Sequence, residues 1–231
     1  MTQWLVFGLS ATLASMGDLA GHERRGSLMW PGRSAVIGLM GAALGLRRTD
    51  DFTRLDALGV AVAVFDTGTP LRDFHTVQSV PSAVAKRPQS RPDAIAQAGQ
   101  RLNTTLTLRD YRAGVLYGVA VSGAEETLED VAKALMSPVF HLYLGRKACP
   151  LSAPPTPVRV AAPNVETALS HLRLPPWRAN AVATTMICDA EPDDTYRDTR
   201  HDTPVSRQKW HFAARDLAIR TVHIQPGTRL S

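Results

Sequence analysis

The chain is poor in cysteine, aromatic residues and lysine. Its 231 residues include two cysteines, Cys149 and Cys188, which lie far apart and form no CxxC pair. That spacing argues against a structural disulfide and favours reduced thiols in a cytoplasmic protein. Aromatic residues make up 6% of the sequence, and arginine far outnumbers lysine among the 26 basic residues.

Long hydrophobic segments are also missing. The longest apolar run, Ala35–Leu46, is shorter than the roughly 18 residues that a membrane-spanning helix needs. No Lys or Arg precedes the apolar N-terminal stretch, so a first strand over Thr2–Leu9 is predicted there in place of a signal peptide. We therefore expect no membrane association.

Motifs for common enzyme chemistries are absent from the sequence. It contains no G-x-S-x-G, Walker or dinucleotide-binding pattern. His201, Asp202 and His211, together with the Asp193-Asp194 pair, lack a recognised metal-ligand spacing, and surface solvation explains them better. Neither a metal nor another cofactor is therefore expected.

What the sequence does have is a moderate excess of positive charge. The formal net charge is +5, and the isoelectric point is near 9.6. This balance permits an acidic partner such as a nucleic acid but does not prove one. A hydrophobic content of 44% is ordinary for a globular core.

The segment Leu142–Pro150 is the most informative part of the chain. Gly145 allows close backbone approach or a positive φ, two cations follow it, and Tyr143 precedes it. Such a combination suits a phosphate backbone and a stacked base. A solvated turn after a strand is the alternative interpretation.

Two further segments carry similar signals. In Trp30–Leu46 a Pro-Gly turn precedes Ser34, a predicted N-cap, and an apolar helix whose N-terminus, beside Arg33, suits a phosphate. An ordinary core helix remains the alternative. In Leu71–Gln78 the alternation indicates a strand with Phe74 on one face and His75 on the other. His75 is either functional or a structural hydrogen-bonding residue.

Together the three segments resemble the CasD family, the fifth Cas family of the type I-E CRISPR surveillance complex Cascade. That family carries an aromatic-Pro-x-[Arg/Lys]-Ser block before a Gly-rich helix, then Leu-Arg-Asp-aromatic-His-Thr-Val, then Tyr-Leu-Gly-Arg-[Arg/Lys]-x-Cys-Pro. Here the blocks are Trp30–Leu46, Leu71–Val77 and Tyr143–Pro150, in the family's order. Ser10–Gly17 departs from it, because only the last glycine remains of a Gly-Pro and Trp-Gly signature.

The resemblance implies a non-catalytic RNA-binding subunit that caps the 5′ handle of the CRISPR RNA and helps anchor its neighbours for antiviral DNA targeting. Binding would combine phosphate neutralisation with base stacking. The implied partners are the CRISPR RNA, the backbone subunit CasC, the large subunit CasA and target DNA within the complex. The candidate RNA-binding residues are Arg24, Arg25, Arg33, Ser34, Arg72, Phe74, His75, Lys86, Arg87, Tyr111, Tyr143, Gly145, Arg146 and Lys147.

The predicted elements, which include a buried strand over Val60–Asp66 and a helix over Glu125–Met136, follow a βαββαβ order. This order indicates an α+β, ferredoxin-like (RRM-like) domain. The family's RAMP fold has the same plan. We expect this domain over residues 1–150, with a long β-hairpin inserted at about 68–112, the thumb of the family, ending in a mobile tip. Lys86 and Arg87 in that insertion face either RNA or solvent; a surface loop without a partner is the alternative for the whole segment.

Residues 151–231 are predicted to form a proline-rich connection and a small β-rich C-terminal part. Strands are expected over Ala181–Cys188, Val205–Phe212 and Leu217–Ile224. The polar segment Glu191–Thr203 is expected to be a loop.

A second hypothesis is a metal-independent endoribonuclease that processes precursor CRISPR RNA, as the subunit does in a related subtype. Attack by the RNA 2′-hydroxyl needs a general base or acid and a cation. His75, Tyr111 and Lys147 supply these groups only if they converge, which the sequence does not decide. The type I-E resemblance favours the binding hypothesis, because the separate CasE subunit cuts the transcript there.

Overall fold

The computed structural model describes residues 1–21 and 23–227. Within these residues, no helix has the length and hydrophobicity that crossing a membrane requires. The strands are β1 Thr2–Ala14, β2 Met16–Ala20, β3 Arg24–Leu28, β4 Gly59–Asp66, β5 Thr69–Ser79, β6 Asn103–Ser122, β7 Val158–Ala162, β8 Ala183–Asp189, β9 Arg197–Ser206 and β10 His211–Ile224. The helices are α1 Arg33–Ala43, α2 Thr53–Asp56, α3 Arg91–Ala98, α4 Glu125–Met136, α5 Val165–Leu169 and a 3₁₀ turn Pro176–Arg178.

Four antiparallel strands in the order β7-β1-β6-β4 form the centre of the sheet. Side chains on β1 alternate between two buried faces, so Leu5 and Phe7 join the larger hydrophobic core while Val6 joins the smaller one. Residues of α1 and α4 complete the larger core, and Ala168 and Leu169 of α5 lie in the smaller one. The molecule is therefore a mixed α+β protein with both faces of its central sheet covered.

The insertion forms an antiparallel β-hairpin. β5 pairs with the first half of β6, from Thr69 opposite Ala113 to Ser79 opposite Asn103. The predicted tip is not a simple loop, because it contains α3. Ser90 caps this helix by accepting a hydrogen bond from the Asp93 amide.

The C-terminal strands extend the same sheet, because β8 pairs with β4 and then with β10, and β10 pairs with β9. The expected loop over Glu191–Thr203 is wrong for its second half, which is β9. The expected strand Val205–Phe212 is also wrong, since it contains the turn between β9 and β10. Polar cross-strand contacts such as Thr199 with Asp216 hold β9, so this edge strand has no hydrophobic alternation to recognise.

Helix α1 begins one residue before the predicted cap. Gly32, not Ser34, is the N-cap, and the Arg33 amide donates to the carboxylate of Asp202 on β9 at 2.9 Å. The helix ends at Ala43 rather than Leu46 because Gly45 takes a left-handed φ of +82°. A side chain distant in sequence therefore supplies the cap.

Asp202 is almost fully buried, and it also forms a bidentate ion pair with Arg215 at 2.9 and 3.0 Å. We expect Asp202→Asn to lower the free energy of unfolding by about 2 kcal/mol, because it leaves the partly buried Arg215 guanidinium with Asp189 as its only carboxylate partner among the described residues. Urea denaturation measures the change. Asp198→Asn is the matched control, since its pair with Arg200 is more exposed and should contribute below about 1 kcal/mol. Equal losses in the two variants would contradict the role assigned to Asp202.

Candidate nucleic-acid interface

The loop between α4 and β7 closes on itself. Tyr143 forms an isolated antiparallel bridge with Pro150, and the Leu144 amide donates to the Cys149 carbonyl at 2.9 Å. The Cys149 amide donates to the Arg146 carbonyl at 2.8 Å. Burial raises the pKa of the Cys149 thiol, which keeps this side chain a neutral filler inside the loop. We call residues 143–150 the anchor loop.

The fold of the chain requires a glycine at position 145. Its φ is +85°, and a Cβ atom there would lie 1.6 Å from the Ser15 carbonyl oxygen. The Ser15 amide in turn donates to the Leu144 carbonyl at 3.0 Å. The close approach that the glycine permits is therefore to the β1–β2 corner, and it fixes the anchor loop on the sheet. The atypical segment Ser10–Gly17 contains this corner and the end of β1.

The two cations after Gly145 point to different places. Arg146 packs against the sheet: its guanidinium carbon lies 4.5 Å from the Tyr111 ring centroid, and its Nη2 donates to the Arg25 carbonyl at 3.5 Å. Its Nη1 is buried without an acceptor. Lys147 is exposed and lines a large groove. The anchor loop therefore directs Arg146 toward the sheet and Lys147 toward the groove.

The groove has a volume of about 2520 Å³ and runs beside α1. Basic side chains along it outnumber the carboxylates Asp18 and Asp202. Among the described residues, Lys147 has no carboxylate within ion-pair distance. Six of the sequence-predicted residues line it: Arg25, Arg33, Ser34, Tyr143, Gly145 and Lys147.

The N-terminus of α1 already holds an anion. Asp202 occupies the position where a phosphate was predicted, beside Arg33. The Arg33 guanidinium donates to the carbonyls of Asp56 and Leu58 at 2.6 and 2.9 Å, at the end of α2. Arg33 is thereby committed to internal hydrogen bonds, although it lines the groove.

A second cluster lies at the base of the hairpin. Arg72 pairs with Asp110 at 2.7 Å, and Arg24 pairs with the same carboxylate at 3.1 Å. The hydrogen bond from Arg72, followed by that from Arg24, holds the pKa of Asp110 below its ordinary value despite partial burial. Tyr111 follows Asp110 and lies under Arg146. We call Arg24, Arg72, Asp110 and Tyr111 the hairpin-base cluster. None of these four residues lines the groove.

The remaining predicted residues lie further along the hairpin. Phe74 is 70% exposed on β5, and His75 is exposed on the opposite face of the same strand. Lys86 and Arg87 are exposed near the tip, between β5 and α3. These four residues are not among those that line the groove.

The structure adds groove residues that the sequence did not single out. Arg48 follows α1, and Trp210 lies in the β9–β10 turn with the Arg48 guanidinium carbon 4.0 Å from its ring centroid. Arg207, in the same turn, pairs with Asp56. Only an exposed tryptophan beside basic residues could have signalled this region, and the wrong strand prediction across the turn hid that signal.

Two of the acidic residues near the C-terminus, Asp194 and Asp202, have structural partners. Asp202 caps α1, and Asp194 forms a bidentate pair with Arg220 at 2.7 and 2.9 Å, which lowers the pKa of Asp194 to about 2. In the part of the chain that the structure describes, no three His, Cys, Asp or Glu side chains converge to hold a metal.

The molecule is an α+β protein with a groove rich in basic side chains, and its relatives give the family. A model of the CRISPR-associated protein (Cas_Cas5) family matches residues 4–218. The chain therefore belongs to that family. The resemblance seen in its three sequence blocks is confirmed.

Individual relatives agree with this assignment. "CRISPR system Cascade subunit CasD" of Escherichia coli (strain K12) is 29% identical over 170 residues, which cover 67% of this chain and 70% of that protein. A chain of a solved "CRISPR RNA-guided surveillance complex" aligns with a TM-score of 0.69 and 27% identity, over 97% of this chain and 95% of that one. A second structure, of a Cas protein, shares the fold at 23% identity and a TM-score of 0.68, over 98% and 100% of the two chains.

Gly145→Ala should destabilise the protein strongly, by about 3 kcal/mol or more, because a side chain there adds both backbone strain and a collision with the Ser15 carbonyl. Gly114→Ala is the matched control: its φ is +77°, but a Cβ meets nothing within 4 Å. The control should cost about 1 kcal/mol. Thermal or urea unfolding compares them, and similar losses would show that the contact with Ser15 does not hold the anchor loop.

Proposed function

We propose that the chain is a non-catalytic, cytoplasmic RNA-binding subunit of a type I-E Cascade surveillance complex, capping the 5′ handle of the CRISPR RNA. The observation that carries this proposal is the anchor loop, which Gly145 and Ser15 fix on the sheet and which presents Lys147 to the groove. Because the backbone of this loop is already ordered, binding a phosphate at Lys147 costs only the conformational entropy of the side chain. Tyr143, 36% exposed in the same loop, offers a ring on which a base can stack.

The topology supports a finer description of the fold. The strand order β7-β1-β6-β4, with α1 before β4 and α4 between β6 and β7, corresponds to a ferredoxin-like arrangement of βαββαβ elements. On this interpretation the central unit is a RAMP domain and the β5–β6 hairpin is its thumb.

The two basic surfaces suit one continuous RNA strand. Arg25 lines the groove, and its carbonyl accepts from Arg146, which covers Tyr111 of the hairpin-base cluster. RNA phosphates leaving the groove past Lys147 would therefore meet Arg24 and Arg72, whose charge Asp110 only partly offsets.

The exposed part of the hairpin suits a protein partner. Phe74 lies opposite Leu108 and diagonal to Leu106, which is 59% exposed. These apolar side chains share one face of the hairpin. We assign this face to the backbone subunit CasC, and we expect CasA and target DNA to approach the same complex.

The placement of His75 favours binding over cleavage. The register puts Tyr111 opposite Leu71, four residues from His75 on the same face of β5, so their Cα atoms are separated by about 13 Å along the strand. Lys147 lies on the groove side of the anchor loop. A general base and acid that far apart do not act readily on one phosphate.

Lys147→Glu should weaken binding of the CRISPR RNA roughly tenfold at low salt and reduce the steepness of its salt dependence, because one phosphate contact is lost. Fluorescence anisotropy over a salt series measures both quantities. Lys133→Glu is the charge-matched control, since Lys133 pairs with Glu129 on α4 and does not line the groove. Equal losses for the two variants would mean that net charge, rather than the groove, controls binding.

Incubation of the protein with labelled precursor CRISPR RNA in EDTA should retard the RNA on a native gel and leave it intact on a denaturing gel. Intact RNA is expected because His75 lies far along the strand from Tyr111, with which the cleavage hypothesis combines it. Cleavage at the repeat that disappears in His75→Ala would overturn the proposal and identify a processing ribonuclease.

A further inference from the structure

The turn between β9 and β10 displays an indole in the groove. Trp210 is 61% exposed and lines the groove, with its ring centroid 6.0 Å from that of Phe212. The Arg48 guanidinium carbon lies 4.0 Å from the Trp210 centroid. An exposed aromatic ring beside a cation is the arrangement on which single-stranded nucleic acids stack their bases.

The backbone places Trp210 there under strain. Its φ is +53°, a left-handed conformation that a bulky side chain seldom adopts. Hydrogen bonds define the turn, from the Trp210 amide to the Arg207 carbonyl at 3.4 Å and from the Lys209 amide to the Ser206 hydroxyl at 3.3 Å. The indole is therefore held in the open by a structured turn.

Among the described residues, Arg48 combines contact with the Trp210 ring and freedom from an ion pair. Arg207 is committed to Asp56 at 2.6 Å, and Arg200 to Asp198 at 2.7 Å. No carboxylate of the described residues lies within ion-pair distance of Arg48. The Arg48 guanidinium lies over the indole but carries no ion pair with these residues, so it can contact a phosphate next to a base stacked on Trp210.

We propose that Arg48 and Trp210 form a second RNA contact in the groove, in which a base stacks on the exposed indole and Arg48 binds the adjoining phosphate. This inference rests on the proposed RNA-binding function and extends it beyond the anchor loop. Both contacts line one groove, alongside α1, whose eleven residues correspond to about 16 Å of wall. The continuity of the groove with Lys147 favours the same RNA strand over a separate protein or DNA partner.

The first test measures binding of a labelled CRISPR RNA that carries the repeat-derived 5′ handle, using the full chain. Trp210→Ala should weaken binding roughly 5- to 100-fold with an unchanged salt slope, because it removes stacking and no phosphate contact. Trp210→Phe should retain most of the affinity. Trp177→Ala is the matched control, since Trp177 is 64% exposed and does not line the groove. Equal affinities for Trp210→Ala and Trp177→Ala would overturn the proposal.

The second test needs no variant at position 210 and is independent of folding effects there. In Trp177→Phe protein, Trp210 is the strongly exposed fluorophore, because Trp30 is 9% exposed and Trp4 is partly buried. The CRISPR RNA should quench its emission by stacking, whereas heparin, a polyanion without bases, should not. Equal quenching by both, or quenching by neither, would count against the stacking site.

The two proposals fail in different ways. If RNA binds and depends on Lys147 but not on Trp210, the second contact is wrong and the RNA-binding function stands. If the unaltered chain does not bind the CRISPR RNA, both are wrong. Binding that depends on Trp210 but not on Lys147 would support the second contact and remove the anchor loop from the site.

Discussion

The pairing of β6 is the constraint on which the rest of the structure depends. Its second half, from Val115 to Val121, is fully buried between β1 and β4, while its first half leaves the core as one arm of the hairpin. The change occurs at Gly114, whose φ is +77°. Because one strand belongs to both parts, the hairpin is a direct continuation of the central ladder. The hairpin-base cluster and the anchor loop consequently keep a fixed relation.

Ion pairs with carboxylates determine which of the many arginines remain available to bind a polyanion. Asp202 engages Arg215, Asp110 engages Arg24 and Arg72, and Asp56 engages Arg207. Most of these pairs hold strands and turns together, so the formal charge overstates what a polyanion would encounter. Among the described residues of the groove, Arg25, Arg48 and Lys147 form no such pair, and Arg33 donates to two carbonyls instead. The interface is therefore defined by a few unpaired cations rather than by overall basicity.

The elements whose apolar residues repeat at a regular helix or strand spacing could be predicted from the sequence. Helix α4 has the predicted bounds, and β4 lies within one residue of its prediction, because their apolar side chains repeat at helical or strand spacing. Of the candidate site, Tyr143, Gly145 and Lys147 do meet in one loop on the groove. The edge strand β9 was missed because ion pairs rather than hydrophobic contacts hold it, and Asp202 as the cap of α1 could not be inferred across 169 residues.

Arg33 shows why a local sequence pattern is not enough to assign a functional role to a residue in this fold. A basic residue at a helix N-terminus is a reasonable sign of phosphate binding, yet here the helix receives an internal carboxylate and the guanidinium satisfies two carbonyls. The Asp202 carboxylate thereby joins β9 to α1, and the Arg33 guanidinium joins α1 to the end of α2. Lys147, in contrast, lies in a loop that backbone contacts hold in place, and its side chain takes no part in those contacts. A side chain that contributes nothing to its own support is free to bind a ligand, which is the physical reason to place the RNA contact there.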